Sequence, residues 1–304
     1  MYNKMQKTAV LTAIVYGLTV AVVFSPNGLA QDFPGFRGGK APGVAEPQTI
    51  PLEWSESKNV AWKAELPGSG WSQPIVVGER VYVTMATSAD KELKPKNFAD
   101  GVKTPQSMGM GFLSKAPDVT IDWQLLCLDA RDGSELWKQT VESGKPQFAI
   151  HPSNTFATES PVANANVVVA YFGAAGVVAA FDREGVLQWR REVGVYKTSN
   201  GFGTGSSLAM DDGKVYLQMH SEEKAELLCL DAESGETVWQ AQRDTTSTSW
   251  STPVVWTNAK RRELIVSGNQ QVDSFDPSTG TLLWTVKKVK AATACSPCAD
   301  TEHL

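Results

Sequence analysis

An aspartate, a glycine three or four residues on and a tryptophan four residues after the glycine recur along the chain. The copies run Leu128-Asp129 to Gly133 to Trp137, Phe181-Asp182 to Gly185 to Trp189, Asp231 to Gly235 to Trp239 and Asp276 to Gly280 to Trp284. The Gly-to-Trp interval is four in every copy, whereas the Asp-to-Gly interval is four, three, four and four. The one deletion therefore falls inside a turn, where a change of length leaves strand register intact. The motif reads as a β-hairpin in which Asp opens the turn through its side chain, Gly supplies a positive φ and Trp lies on the outgoing strand. On this reading Asp129, Asp182, Asp231 and Asp276 are turn residues, not a carboxylate cluster.

A second element recurs upstream of each hairpin, a Ser-Pro-like entry into an apolar strand. It is seen at Ser72-Gln73-Pro74-Ile75, Ser160-Pro161-Val162, Ser206-Ser207-Leu208 and Ser251-Thr252-Pro253-Val254, and a fifth begins at Ser296-Pro297. Between entry and hairpin lie β-rich runs such as Arg80-Val81-Tyr82-Val83-Thr84 and Lys214-Val215-Tyr216-Leu217. Each unit thus holds about four short strands. Four-stranded units at this spacing predict an all-β fold, a β-propeller, ahead of a β-helix or a sandwich. Complete blades are expected near 71–141, 157–193, 203–243 and 250–287.

These hairpins resemble the tryptophan-docking blades of the pyrroloquinoline-quinone (PQQ)-like repeat family, which includes quinoprotein dehydrogenases and an outer-membrane assembly lipoprotein. The leader Asp32-Phe33-Pro34-Gly35-Phe36-Arg37-Gly38, with Glu53-Trp54-Ser55 and Asn59-Val60-Ala61-Trp62-Lys63, is similar to the opening of secreted bacterial members, with Phe33 and Gly39 in place of the usual Trp and Pro. The resemblance implies a ring of eight blades, closed when an N-terminal strand near Trp62 pairs with C-terminal strands. On that count the ring here is incomplete, about four full blades plus partial ones. A C-terminally truncated chain is the expectation and closure by dimerisation the rival.

Lys4 and Lys7, an uncharged apolar run from Ala9 to Phe24 and the small residues Gly28-Leu29-Ala30 have the layout of a signal peptide, residues 1–30. The run is shorter than a spanning helix needs. The expectation is export to the periplasm or medium with no membrane span after cleavage, leaving residues 31–304 as the partial propeller. A net charge of −5 from 28 basic and 33 acidic residues gives no basic stripe for a phosphate backbone, so nucleic acid is not an expected partner. A long insertion at 85–122, rich in Lys, Pro, Gly and Met and including Met108 and Met110, interrupts the first blade.

The segment Ser199-Asn200-Gly201-Phe202-Gly203-Thr204-Gly205-Ser206 matches Ser153-Asn154-Thr155-Phe156-Ala157-Thr158-Glu159-Ser160 of the preceding unit. It is therefore a repeat feature, not a phosphate loop, and no Lys-Ser/Thr follows it. Because it precedes the innermost strand, a propeller sets its polar residues at the mouth of the central channel. His151, Asn154, Glu159 and Asn200 are the candidate ligand contacts there, against the plainer reading that such side chains satisfy turn backbone. Cys127 and Cys229 occupy equivalent strand positions and are expected to be buried and unpaired. Cys295-Ser296-Pro297-Cys298 has redox-site spacing, yet its Ser-Pro aligns with every blade entry, which favours a structural role over an exposed redox pair. The three histidines have no metal-ligand spacing, and no metal site is expected.

The expected function is a non-catalytic exported scaffold that binds a protein or other envelope component, with no cofactor. The alternative is a PQQ-dependent dehydrogenase or a fragment of one, which by the resemblance needs calcium held by Glu, Asn and Asp, a further base, and usually an adjacent Cys-Cys disulfide. The chain has no Cys-Cys pair.

Overall fold

The computed structural model describes residues 32–39, 43, 51–96, 104, 105, 108, 110–244, 246–268, 270–289 and 294–304. The expected signal peptide lies outside these residues. Among the described residues sixteen strands form four four-stranded antiparallel sheets, each built from consecutive strands in chain order. The first holds β1 (Ile75–Val77), β2 (Arg80–Thr87), β3 (Ile121–Asp129) and β4 (Glu135–Gly144). The second holds β5 (Val162–Ala163), β6 (Val167–Phe172), β7 (Val177–Asp182) and β8 (Leu187–Glu192). The third holds β9 (Ala209–Asp211), β10 (Lys214–His220), β11 (Ala225–Asp231) and β12 (Thr237–Gln242), and the fourth β13 (Val254–Thr257), β14 (Arg262–Gly268), β15 (Gln271–Phe275) and β16 (Leu282–Lys287). The first strands of successive sheets are neighbours, β1 to β5 to β9 to β13, so the sheets are blades set around an axis. The chain folds as an arc of a β-propeller.

Residue alternation explains why the middle strands are apolar runs. In β6, Val168, Ala170 and Phe172 face the seam with the first blade, while Val167, Val169 and Tyr171 face the seam with the third. Both faces are buried, so both sets must be apolar. Cys127 and Cys229 are fully buried and unpaired, each in the seam on the same side of its blade.

The recurrent tryptophans join one blade to the next. Trp137 Nε1 donates to Arg183 O (2.8 Å), Trp189 Nε1 to Ala232 O (2.9 Å) and Trp239 Nε1 to Pro277 O (3.0 Å), each acceptor lying in the hairpin turn of the following blade. The ring packs against that turn's glycine: a Cβ on Gly185, Gly235 or Gly280 would sit 2.7, 2.5 or 2.6 Å from the indole. These glycines also hold φ of +82°, +71° and +71°. The motif glycine is thus required twice over, by the turn and by the neighbour's tryptophan. The turn aspartates act as expected, with Asp276 Oδ1 accepting from the N–H of Ser278 (2.8 Å) and Thr279 (3.0 Å).

Trp62 obeys the same rule without belonging to a strand. Its Nε1 donates to Ala130 O (2.9 Å), its ring covers Gly133, and with Ala64 it packs on the outer face of the first blade. The expected strand near Trp62 is coil in the described residues. At the other end Trp284 Nε1 turns onto its own blade and donates to Glu263 Oε2 (2.6 Å).

A second stitch runs along the blade entries. The N–H of Gln73 donates to Ser160 Oγ (2.8 Å), Ser160 N–H to Ser207 Oγ (2.9 Å), Ser207 N–H to Thr252 Oγ1 (3.1 Å) and Thr252 N–H to Ser296 Oγ (2.9 Å). The recurrent hydroxyl is therefore an acceptor for the preceding blade, and Ser296 places a fifth entry beside the fourth.

The leader lies across the inner edges of the blades. Phe33 and Val76 exchange backbone hydrogen bonds, and Pro34 O accepts from Ala163 N–H (2.9 Å). Phe36, Arg37 and Gly39 line a gap with Leu208, Thr252 and Pro297, and Arg37 reaches Ser296 O (3.5 Å). The segment thereby spans from the first blade to the fifth entry.

Candidate functional site at the channel mouth

The loops joining the last strand of one blade to the first of the next share one face of the arc. On it Trp71, His151, Ser153, Asn154, Phe202 and Trp250 enclose an open cavity of about 380 Å³. His151 stacks on Phe202 with ring centroids 5.4 Å apart and planes 19° apart, and Phe202 meets Trp250 edge-on at 6.0 Å.

The polar atoms around this cavity are largely engaged with the loops themselves. Trp71 Nε1 donates to Ser153 O (2.8 Å) and Trp250 Nε1 to Gly203 O (2.6 Å). Asn154 Nδ2 donates to Phe202 O (2.8 Å), while its Oδ1 accepts from Thr155 N–H (2.7 Å) and Thr158 Oγ1 (2.6 Å). His151 Nδ1 accepts from the N–H of Ser153 (3.1 Å), which assigns the ring proton to Nε2, 3.2 Å from Thr104 Oγ1. Burial holds the His151 pKa below its ordinary value. What the cavity presents is aromatic surface: Trp71 is 58% exposed.

Of the four candidates read from the sequence, His151 and Asn154 line this cavity and Asn200 and Glu159 do not. Asn200 holds a left-handed backbone (φ 48°) and its Oδ1 accepts from Gly111 N–H (2.6 Å), tying the third blade's entry loop to the insertion. Glu159 is 1% exposed in the seam between second and third blades, near Thr204 and Gly173. Burial raises its pKa, countered by a hydrogen bond from Thr204. The hydroxyl ladder pairs Ser160 with Ser207, one residue off the match read from the sequence, so the position of Glu159 carries Ser72, Ser206, Ser251 and Cys295 in the other units and it is the one carboxyl in a row of small residues. Trp71, Phe202 and Trp250 were not singled out in the sequence. The available signal was that Trp71 and Trp250 each stand directly before a Ser-x-Pro entry, where the other units carry Thr158, Gly205 and Ala294.

Elsewhere the insertion occupies the connection from Thr87 to Ile121, with Met108 and Met110 exposed. Cys295 and Cys298 are exposed and line a larger cavity of about 980 Å³ on the outward face of the fourth blade with Trp256 and Trp284. A third notable cluster is buried between the third and fourth blades. Arg243 Nε donates to Asp273 Oδ2 (2.6 Å), and Arg243 Nη1 lies 3.3 Å from His220 Nδ1. Burial, and then the Arg243 charge, hold His220 down to about 3.

The family model described as outer membrane protein assembly factor BamB matches residues 118–223 and 174–302, which together span more than half of the chain. A curated relative, the dehydrogenase subunit of alcohol dehydrogenase (quinone) from Gluconobacter oxydans (strain 621H), is 27% identical over 214 residues, 59% of this chain and 28% of that protein. Among solved structures, BamB from Moraxella catarrhalis aligns with a TM-score of 0.47 at 21% identity, over 77% of this chain and 57% of that one. Quinohemoprotein alcohol dehydrogenase from Comamonas testosteroni aligns with a TM-score of 0.47 at 16% identity, over 84% of this chain and 49% of that one. The chain thus spans between about a quarter and just over half of the length of these relatives. Taken with four blades joined by docked tryptophans, the family match has a plain consequence: the chain belongs to the PQQ-repeat β-propeller family that the BamB model describes.

Proposed function

We propose that this chain is an exported, non-catalytic propeller scaffold that binds a protein or other envelope component at its inter-blade loop face. The observation that carries this reading is the path of the leader. Phe33 to Gly39 lies along the inner edges of the blades, the side on which a ring-bound cofactor would have to sit. The loop face in turn offers a concave aromatic surface whose polar atoms are committed to holding the loops.

Calcium and quinone, which the dehydrogenase resemblance implies, have no part in this reading. Glu159 is committed to a blade seam and Asp273 to Arg243. The likeness to a quinone-dependent alcohol dehydrogenase subunit keeps dehydrogenase activity as the reading to be tested against.

The test has two arms on the exported chain. A photo-crosslinking residue at Trp71 is expected to give discrete adducts with envelope components, while the same group on the opposite face, at Asp212, gives none. Alcohol-dependent dye reduction after addition of PQQ and calcium is expected to be absent. Dye reduction, or equal capture at both positions, would contradict the scaffold reading.

A further inference from the structure

We propose that the mouth cavity bounded by Trp71, His151, Phe202 and Trp250 is a recognition site for one neutral aromatic ring. The inference rests on the scaffold reading and names the chemistry that its loop face selects. A volume of about 380 Å³ is at the small end of the range of ligand pockets. It suits a single ring system.

Three properties of the lining point to that ligand. Among the described residues no acidic, Lys or Arg side chain borders the cavity, and the Ser153 N–H donates to His151 Nδ1, which fixes the ring's tautomer. A charged ligand would have to be desolvated here without a counter-charge. Both indole N–H groups donate to loop carbonyls, Ser153 O and Gly203 O, which leaves the indole faces and edges for contact. Asn154 spends its amide on Phe202 O and its carbonyl on Thr155 and Thr158. A sugar presents several hydroxyls, each needing a partner when buried, and these side chains are already engaged. A flat apolar ring needs none, and it gains from offset and edge-on contacts of the kind Phe202 and Trp250 already make at 6.0 Å.

The lining is also held in place before any ligand arrives. Trp250 is fixed to the loop of the third blade through Gly203 O, and Trp71 to the loop of the second through Ser153 O. Four consecutive entries therefore meet at one spot, and little side-chain entropy remains to be lost on binding.

The experiment is a ligand-detected NMR titration of the exported chain with 5-fluoroindole, with N-acetyl-L-tryptophanamide and, as the sugar arm, with maltotriose. Saturable binding of the aromatic probes is expected, weakened about tenfold by Trp71→Ala and by Phe202→Leu, in line with the strength of an aromatic pair. Trp71→Ala changes a side chain that is 58% exposed and is expected to retain the parent melting profile. If the amide binds more tightly than the free ring, the source is an aromatic side chain of a protein; equal affinity assigns it to a free aromatic molecule. No saturable aromatic binding, binding unchanged in Trp71→Ala, or preference for maltotriose would overturn the proposal. Those results with crosslinking at Trp71 intact would leave the scaffold standing, whereas alcohol-dependent dye reduction would sink the scaffold reading itself.

Discussion

Two buried ionisable residues give the chain a pH dependence of opposite signs. His220 titrates at about 3 in the folded protein and near 6.5 in the unfolded chain. Between those values the unfolded state binds more protons, so stability falls as the pH drops below about 6.5, at up to roughly 1.4 kcal/mol per pH unit. His220→Gln is expected to flatten that part of a stability profile measured by urea denaturation between pH 6.5 and 4. A profile as steep as the parent's would show that His220 is not the group concerned. Glu159 acts the other way. Its pKa is raised by burial and its Oε1 makes no hydrogen bond, so its contribution worsens as the pH rises through the ordinary carboxyl range. Glu159→Gln should stabilise the chain at neutral pH by about 1 kcal/mol or more and leave it little changed near pH 3. Destabilisation at pH 7 would mean that the carboxylate is paired. The sequence marked Glu159 as a candidate through its place in a repeated loop, but not its depth, because burial is set by the neighbouring blade's Thr204 and not by local pattern.

The hairpins carry the blade-to-blade energy, and their logic separates two kinds of glycine. Gly235 and Gly213 hold nearly the same φ, +71° and +70°. A Cβ on Gly235 would strike the Trp189 indole at 2.5 Å, whereas one on Gly213 meets nothing within 4 Å. Gly213→Ala should cost only the left-handed backbone penalty, roughly 1–2 kcal/mol, and Gly235→Ala distinctly more. Equal costs in denaturant melts would refute the docking role. Trp239, which is buried and bonded to Pro277 O, should cost about 3–5 kcal/mol on substitution by Ala. The spacing of Asp, Gly and Trp made these turns legible in the sequence. What each tryptophan docks against was not, since the acceptor lies some forty residues further on in the next unit. Strand boundaries agreed with the expected blades for a related reason: two-sided burial makes β6 apolar throughout, and turn residues delimit it. The aromatic mouth was harder to read because Trp71 and Trp250 break the repeat instead of following it.

Across the whole molecule, the leader joins what the hairpins and entries have stacked. Its pairing protects the Val76 and Ala163 amides, which donate to Phe33 O and Pro34 O. Removing residues 32–39 should speed hydrogen exchange at both amides and lower the melting midpoint, while the Tyr216–Cys229 pairing inside the third blade keeps its protection. Unchanged exchange at Val76 would contradict a leader seated on the inner edges. The repeat motifs made the number and order of blades readable from sequence, whereas this crossing segment offered only a resemblance and no periodicity. The central claim is that this propeller arc is a binding scaffold whose own leader lies along the inner edges of its blades. Its most direct test is the thermal melt of the purified chain with and without PQQ and calcium. The account predicts one cooperative transition that the additions do not move. An upward shift, which a ligand at 100 times its dissociation constant would produce through about 2.7 kcal/mol of stabilisation, would contradict it.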